Sequence, residues 1–350
     1  MEEVQISFDL VGSELGEDIL SEQGILLLKK GTILKEIHIL LLQKYRFGAK
    51  VSVDFNTHTS PNTKPYQSIQ LYVRDAFQNL FINNEIDLTE LGKRYHELIN
   101  ISLYDSSILK IVQSKGTKDM QLYQHSINVG ILAAIIGKIL DYKKKDCLLL
   151  ADMGLFHEIG MLEIGNEIYH KMELLNNQEL EQVQKHTEIG YSLLKTIPEL
   201  NPLIPLAALQ HHERIDGSGY PNQLKEADIP YFVQIISVAA AFNTKYMNLN
   251  NDNSKDTHFS GVYELVEAAH NNQLNPAIVI PFIRYIMRQN LHQKVLLNNG
   301  KEAQILFIHD NEPYQPLVKV EEEYIDLRRD SSLRIVSLLD ETPEEIINYN

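Results

Sequence analysis

The chain has 350 residues, 44% of them apolar, enough to bury a large core and to form two or three domains. Its 47 acidic residues against 32 basic ones leave a formal net charge of -15, which speaks against non-specific binding of a nucleic acid polymer. A small phosphate ligand stays compatible with that charge, because bound cations reverse the local sign of a site. Cys147, the single cysteine, sits in the apolar run CLLLADMGLF and reads as a buried hydrophobe in a reducing, cytoplasmic setting. The start, MEEVQISFDL, lacks the basic-then-apolar pattern of a signal peptide, and no apolar run approaches the roughly 18–20 residues of a membrane span.

Residues 1–56 read as a small α+β accessory domain. Gly24 to Leu28 is a compact apolar run closed by Lys29-Lys30-Gly31, Glu36 to Tyr45 is helical, and Ala49 to Val53 alternates as a half-buried strand does. His58 to Pro65 has turn and linker composition, and residues 57–110 are expected to form a helical linker. The pattern from Ser68 to about Leu249 is almost wholly helical. Leu122, His125, Val129, Leu132 and Ile136 share one helix face. Asn176 and Glu179 form a capping pair ahead of an amphipathic run to Ile197; Pro202 or Pro205 opens the next helix, and Pro230 the one after. Residues 250–256, NNDNSKD, make a polar break before helix resumes from Gly261 to Leu291. Lys294 to Leu297, Ala303 to Ile308 and Leu317 to Val320 then read as strands, with a turn at Asn298-Asn299-Gly300, giving a β module over residues 293–350.

Five of the 13 histidines carry the chemistry: His125, His157, His186, His211 and His212. Alone, each would most often be an ordinary core or surface residue. Together they are different, because apolar helical surroundings make an unpartnered imidazole costly and metal ligation removes that cost. Glu158, beside His157, adds a hard oxygen donor able to bridge two cations. His211 and His212 would point about 100° apart on a helix, so each could address a different ion or a different edge of one.

The segment that follows, Glu213-Arg214-Ile215-Asp216-Gly217-Ser218-Gly219-Tyr220-Pro221, has two glycines that let backbone approach a ligand and take positive φ. Pro221 stiffens the exit, and Arg214 offers a guanidinium that can fork onto a phosphate or a carboxylate.

The run HHERIDGSGYP resembles the signature of the HD-GYP family, metal-dependent phosphodiesterases that hydrolyse the bacterial second messenger cyclic diguanylate. The resemblance extends over about residues 118–248: His125 in QHSINV, His157-Glu158-Ile159-Gly160 at the family's His-Asp pair, His186 in KHTEIG, and Ile229-Pro230 with VQIISVA after the loop. It implies a mainly α fold, an HD-superfamily helical bundle spanning residues 111–292. It also implies one or two divalent ions, iron or manganese, held by His125, His157, Glu158, His186, His211 and His212, with Glu158 as the catalytic bridging carboxylate. Arg214, Asp216, Gly219, Tyr220 and Pro221 would contact substrate, cyclic diguanylate or a related phosphodiester. A signalling-protein partner and a homodimer are both compatible with this reading. Gln121 stands where trinuclear members carry Glu, so a third ion is not expected.

The sequence departs from the family at several places. Glu158 replaces Asp, and its extra methylene moves the carboxylate by about 1.5 Å against site tolerances of about ±0.2 Å. Met161 replaces a Lys, Ala240 an Asp that ligates metal, and Asn243 a second acid. The family's Arg-Pro-Tyr segment has no counterpart in KYMNLNND, where Lys245 is the nearest cation. On these losses the site implied by His186, His211, His212 and Glu158 is complete, whereas the one implied by His125, His157 and Ala240 lacks its carboxylate. Two functions follow: a degenerate site in which hydrolysis is weak or lost and ligand or partner binding dominates, or a working phosphodiesterase yielding the linear dinucleotide or GMP.

Overall fold

The computed structural model describes residues 2–6, 10, 14–21, 26–32, 34, 36–45, 50–54, 63–105, 109, 112, 120–164, 176–249, 259–330 and 332–339. The chain divides into two compact units, Met1–Ile69 and Gln70–Asn350. The first holds strands β1 (Glu2–Gln5), β2 (Glu14–Leu15), β3 (Ile19–Leu20), β4 (Leu26–Leu28) and β5 (Lys50–Asp54), with helix α1 (Glu36–Tyr45). Antiparallel pairing gives the order β1-β5-β2, and β3 pairs separately with β4. Its core is Ile6, Leu10, Leu15, Ile19, Leu34, Ile39, Leu42 and Val51. The expected α+β character is present, and α1 has the bounds the sequence suggested; β1, β2 and β3 are too short to leave a period of their own. Of the expected linker at residues 58–65, 58–62 lie outside the described residues and 63–65 are already the start of helix, and the polar break at 250–256 lies outside the described residues.

Helices dominate the second unit. They are α2 (Thr63–Asn83, which begins in the first unit), α3 (Leu88–Ser102), α4 (Gln121–Ile139), α5 (Lys144–Phe156), the single turn α6 (Met161–Ile164), α7 (Asn177–Gln184), α8 (His186–Lys195), α9 (Leu203–Gln210), α10 (Tyr231–Leu249), α11 (Ser260–His270) and α12 (Pro276–Gln289). The capping pair is realised in full: Asn176 Oδ1 accepts from Glu179 N at 3.0 Å and Glu179 Oε2 accepts from Asn176 N at 2.9 Å. The run it opens is broken at Lys185 into α7 and α8. Likewise the helix expected from Gly261 to Leu291 is two helices, because Asn275 caps a new start by accepting from Ala277 N, with Pro276 in the first turn.

α4 is the central rod. Residues Leu122 to Gly137 are all buried, so the expected single apolar face is a helix enclosed on every side. It crosses α5 where two glycines meet: a Cβ on Gly154 would lie 2.5 Å from Gly130 Cα, and one on Gly130 only 2.5 Å from Ala151 O. That contact brings the start of α4 and the end of α5, and with them His125 and His157, to one place. Phe77 stacks on Phe156 at 5.3 Å and Tyr95 donates to Ile127 O at 3.2 Å, bracing the same crossing.

The C-terminal module is a five-stranded antiparallel sheet, ordered β10-β6-β7-β8-β9, from β6 (Lys294–Leu297), β7 (Glu302–Phe307), β8 (Leu317–Val320), β9 (Glu323–Asp326) and β10 (Ile335–Leu338). Gly300 turns the first hairpin at φ +80. Arg284 on α12 donates to Asp310 O at 2.9 Å, and Ile335 N donates to Tyr263 Oη on α11 at 3.0 Å, tying the sheet to the helices.

Candidate metal centre

Glu158 sits in the turn between α5 and α6, buried, with four imidazoles around its carboxylate. Oε1 is 3.6 Å from His211 Nε2, 3.8 Å from His157 Nε2 and 4.0 Å from His125 Nε2; Oε2 is 3.4 Å from His186 Nε2. Two groups of donor atoms result, each with its atoms within 4.8 Å of one another: Glu158, His186, His211 and His212, and His125, His157 and Glu158. Glu158 belongs to both. The extra methylene that set Glu158 apart from the family's Asp leaves its oxygens between the two groups.

Gly160 explains how His186 arrives there. A Cβ at Gly160 would lie 2.0 Å from His186 O and 2.6 Å from Gly190 N, so α8 packs directly on the backbone after Glu158. No side chain fits between them.

Four of the five rings are held by their other nitrogen. His157 Nδ1 lies 2.6 Å from Gly154 O, His186 Nδ1 2.6 Å from Val183 O, and His211 Nδ1 3.0 Å from Ala207 O and 3.1 Å from Ala208 O. A carbonyl only accepts, so these three Nδ1 atoms carry the proton and Nε2 presents a lone pair. His125 Nδ1 is 2.8 Å from Asn243 Oδ1, the same arrangement made by a side chain. The inward nitrogens then face one another, His125 to His157 at 3.2 Å and His186 to His211 at 3.3 Å. Two lone pairs at that distance repel, and neither holds a proton to share. Two ligands of one cation with bonds of about 2.1 Å stand about 3.0–3.4 Å apart, which is the observed spacing. Glu158 Oε2, buried and without a hydrogen-bond partner, fits the same requirement. The donor set therefore suits divalent metal.

Electrostatics agree. Burial lowers the affinity of His125 and His186 for a proton, and that of His157 and His212 more strongly. Burial opposes ionisation of Glu158, yet protons taken up by the surrounding imidazoles, His186 first, would hold its carboxyl well below the ordinary carboxylate range. A neutral ring set around an ionised carboxylate is the protonation state that metal binding needs.

The signature loop lies against this centre. Tyr220 stacks on His212 with ring centres 4.6 Å apart and planes 17° off parallel. His211 and His212, with ring centres 4.1 Å apart, serve the same donor group, in line with the alternative that each addresses a different edge of one ion. Gly219 is buried against the backbone, where a Cβ would meet His212 O and Arg214 N at 2.4 Å. Pro221 follows through a cis peptide bond. Asp216, exposed, accepts from Ser218 N and Oγ at 2.9 and 2.7 Å and so shapes the loop tip, with Gly217 at φ +84.

Glu213, directly after the histidine pair, is a further residue of the centre that the sequence did not single out. It is 1% exposed, and its carboxylate accepts from Asn222 N at 2.7 Å and Leu224 N at 2.9 Å, strapping the loop to the helix end. Asn243, read from sequence only as a lost acid, orients His125. Arg214 donates to His211 O at 3.4 Å and Glu213 O at 3.1 Å, and it also lines a cavity formed with α10, α11 and β10 that none of the clustered histidines lines. Met161, in the family's Lys position, is buried with Leu122 and Val183, so no cation stands there. Ala240 is buried one turn before Asn243, on the same face of α10. The side chain of Lys245 lies outside the described residues.

Residues 108–271 match the sequence model of the HD domain family. Among curated relatives, the cyclic di-GMP phosphodiesterase PdeB of Borreliella burgdorferi is 28% identical over 229 residues, 65% of this chain and 60% of the relative. The 3'3'-cGAMP-specific phosphodiesterase 1 of Vibrio cholerae is 36% identical over 147 residues, 42% of this chain and 32% of the relative. The chain thus spans 60% or less of the length of these two relatives. Among solved structures, Bd1817, an HD-GYP-type protein of Bdellovibrio bacteriovorus, aligns with a TM-score of 0.52 at 15% identity, covering 80% of this chain and 98% of that one, a likeness of fold. Among the described residues no helix is long and apolar enough to cross a membrane. With the histidine pair, Glu158 and the GYP loop assembled at one centre, the helical body of this chain matches the HD domain family over residues 108–271 and is similar in sequence to cyclic di-GMP phosphodiesterases.

Proposed function

We propose that this chain binds two divalent cations, iron or manganese, and through them a cyclic dinucleotide of the cyclic di-GMP or cGAMP class, which it hydrolyses slowly to the linear dinucleotide. The observation that carries this reading is the sharing of Glu158 between two donor groups, since one carboxylate spanning two nitrogen sets is what a paired-cation site requires. The likeness to phosphodiesterases of both substrate classes supports the choice of ligand.

Bound cations at such a site supply Lewis acidity and an activated water. The residues do the rest. His186, His211, His212 and Glu158 make a complete four-donor set, whereas His125, His157 and Glu158 make three. Backbone carbonyls and Asn243 fix the rings of His125, His157, His186 and His211, so these four donors are held in place before substrate enters. Tyr220, stacked on His212, and Gly219 and Pro221 beside it form the wall against which a base or ribose would rest. Asp216 keeps that wall in shape.

Slow turnover follows from two positions. Ala240 supplies no carboxylate to the three-donor set, and Met161 supplies no charge to a scissile phosphate; losing one such stabilising group typically costs about 10²–10³ in rate. A second reading, ligand binding without hydrolysis and signalling through a protein partner, is favoured by these same two positions. Incubating the metal-reconstituted chain with cyclic di-GMP and with 3'3'-cGAMP, and following products by chromatography, separates them. Appearance of linear dinucleotide that stops on chelation supports hydrolysis; tight binding with no product supports the second reading; neither binding nor product contradicts both.

A further inference from the structure

A cavity of about 530 Å³ lies between α10, α11 and β10, apart from the histidine cluster, and Arg214 is what the signature segment contributes to it. The guanidinium of Arg214 contacts two backbone carbonyls, His211 O at 3.4 Å and Glu213 O at 3.1 Å, and has no carboxylate within ion-pairing distance among the described residues. Desolvation lowers the affinity of this guanidinium for its proton, and the Asp216 and Glu213 carboxylates balance that only in part, so an anion placed against it would be favoured. Arg334, from the C-terminal module, lines the same cavity, and its side chain has no acceptor among the described residues. Tyr263 is the third polar group. Its Oη accepts from Ile335 N at 3.0 Å, which leaves the phenolic proton available to a ligand. Glu264 and Glu267, both exposed, also line the cavity and are suited to an exocyclic amine or a ribose hydroxyl. The volume falls within the range of small-molecule sites, about 300–1,000 Å³.

We propose that this cavity is a second ligand site, for a phosphorylated small molecule of mononucleotide size held by Arg214, Arg334 and the Tyr263 hydroxyl. Its place gives it a route to the metal centre. Arg214 N is 2.4 Å from where a Cβ on Gly219 would stand, so the backbone of Arg214 packs against the loop that carries Tyr220. Arg334 precedes Ile335, the residue bound to α11. An occupant would therefore join the terminal sheet to the segment holding His211 and His212.

The test is calorimetric titration of the full chain with AMP and, separately, with inorganic phosphate, before and after removal of metal by chelation. Arg334→Ala removes an exposed cation, Ala268→Phe fills the cavity, and His186→Ala serves as a control at the metal centre. The proposal expects AMP to bind the chelated protein and the His186→Ala variant, and binding to weaken tenfold or more in Arg334→Ala and Ala268→Phe. It is overturned by absence of AMP binding, by loss of that binding on chelation, or by unchanged affinity in Arg334→Ala. Inorganic phosphate binding as tightly as AMP would overturn the assignment of a mononucleotide-sized ligand.

Discussion

His186 Nε2 and His211 Nε2 face each other at 3.3 Å while the Nδ1–H of each ring donates to a backbone carbonyl, of Val183 and of Ala207. Neither nitrogen has a proton to place between them, so the pair is favourable only with a cation in the gap. Metal is then predicted to stabilise the fold. A cation present at 100 times its Kd contributes about 2.7 kcal/mol, or about 5–10 °C in Tm for a helical body of this size. Differential scanning calorimetry with and without a chelator checks this, and identical Tm values would contradict it.

His186→Ala removes a donor from one group and leaves His125, His157 and Glu158 intact. About half the bound metal should be lost, with the helical circular dichroism kept. Loss of all of it would mean that the two groups fill only together.

Ala240→Asp is predicted to complete the three-donor set. Position 240 lies one turn from Asn243, which touches His125, so a carboxylate there reaches the same centre. Metal affinity should rise, and dinucleotide hydrolysis should rise tenfold or more. No change in either quantity would remove the argument that the missing acid limits turnover.

Gly160→Ala should destabilise the chain by about 1–3 kcal/mol or more, because its methyl would stand 2.0 Å from His186 O. Relief of that clash displaces α8 and with it His186, so metal affinity should fall alongside the urea midpoint. Gly92→Ala, whose Cβ would meet nothing closer than 3.9 Å, is the matched control.

Stability of the metal-free chain should fall in mild acid. Burial holds His125, His157, His186 and His212 below the ordinary value of 6.5. Below about pH 6.5 the unfolded chain takes up protons that the folded rings refuse, so stability is fully present above that pH and is lost as the pH falls toward the folded values. Each ring contributes at most about 1.4 kcal/mol per pH unit in that window. Urea midpoints of chelated protein at pH 8, 6.5 and 5.5 should therefore decline between the last two; a flat profile contradicts the buried, neutral ring set.

What the sequence revealed depended on whether the relevant partner was near in the chain. The Asn176–Glu179 cap, the helix from Glu36 to Tyr45 and the strand pair about Gly300 are local, and each was legible. His157-Glu158 and His211-His212 were legible as neighbours with unusual chemistry. Asn243 was not, because its partner His125 is 118 residues away and an amide that orients a ring looks from sequence like an acid that is gone. Gly160 carried no signal of its approach to α8. That Arg214 also lines a cavity was not legible either, since α11 and β10, which form it, come from distant parts of the chain. β9 and β10 were not legible, since a four-residue strand at a sheet edge shows too little alternation.

The central claim is that Glu158 is shared by two cation sites. Metal content per chain, measured by mass spectrometry on reconstituted wild type and on Glu158→Gln, tests it most directly. The account predicts about two ions per wild-type chain, one for each donor group, and near-complete loss of both in Glu158→Gln. Retention of the wild-type metal content by Glu158→Gln would contradict it.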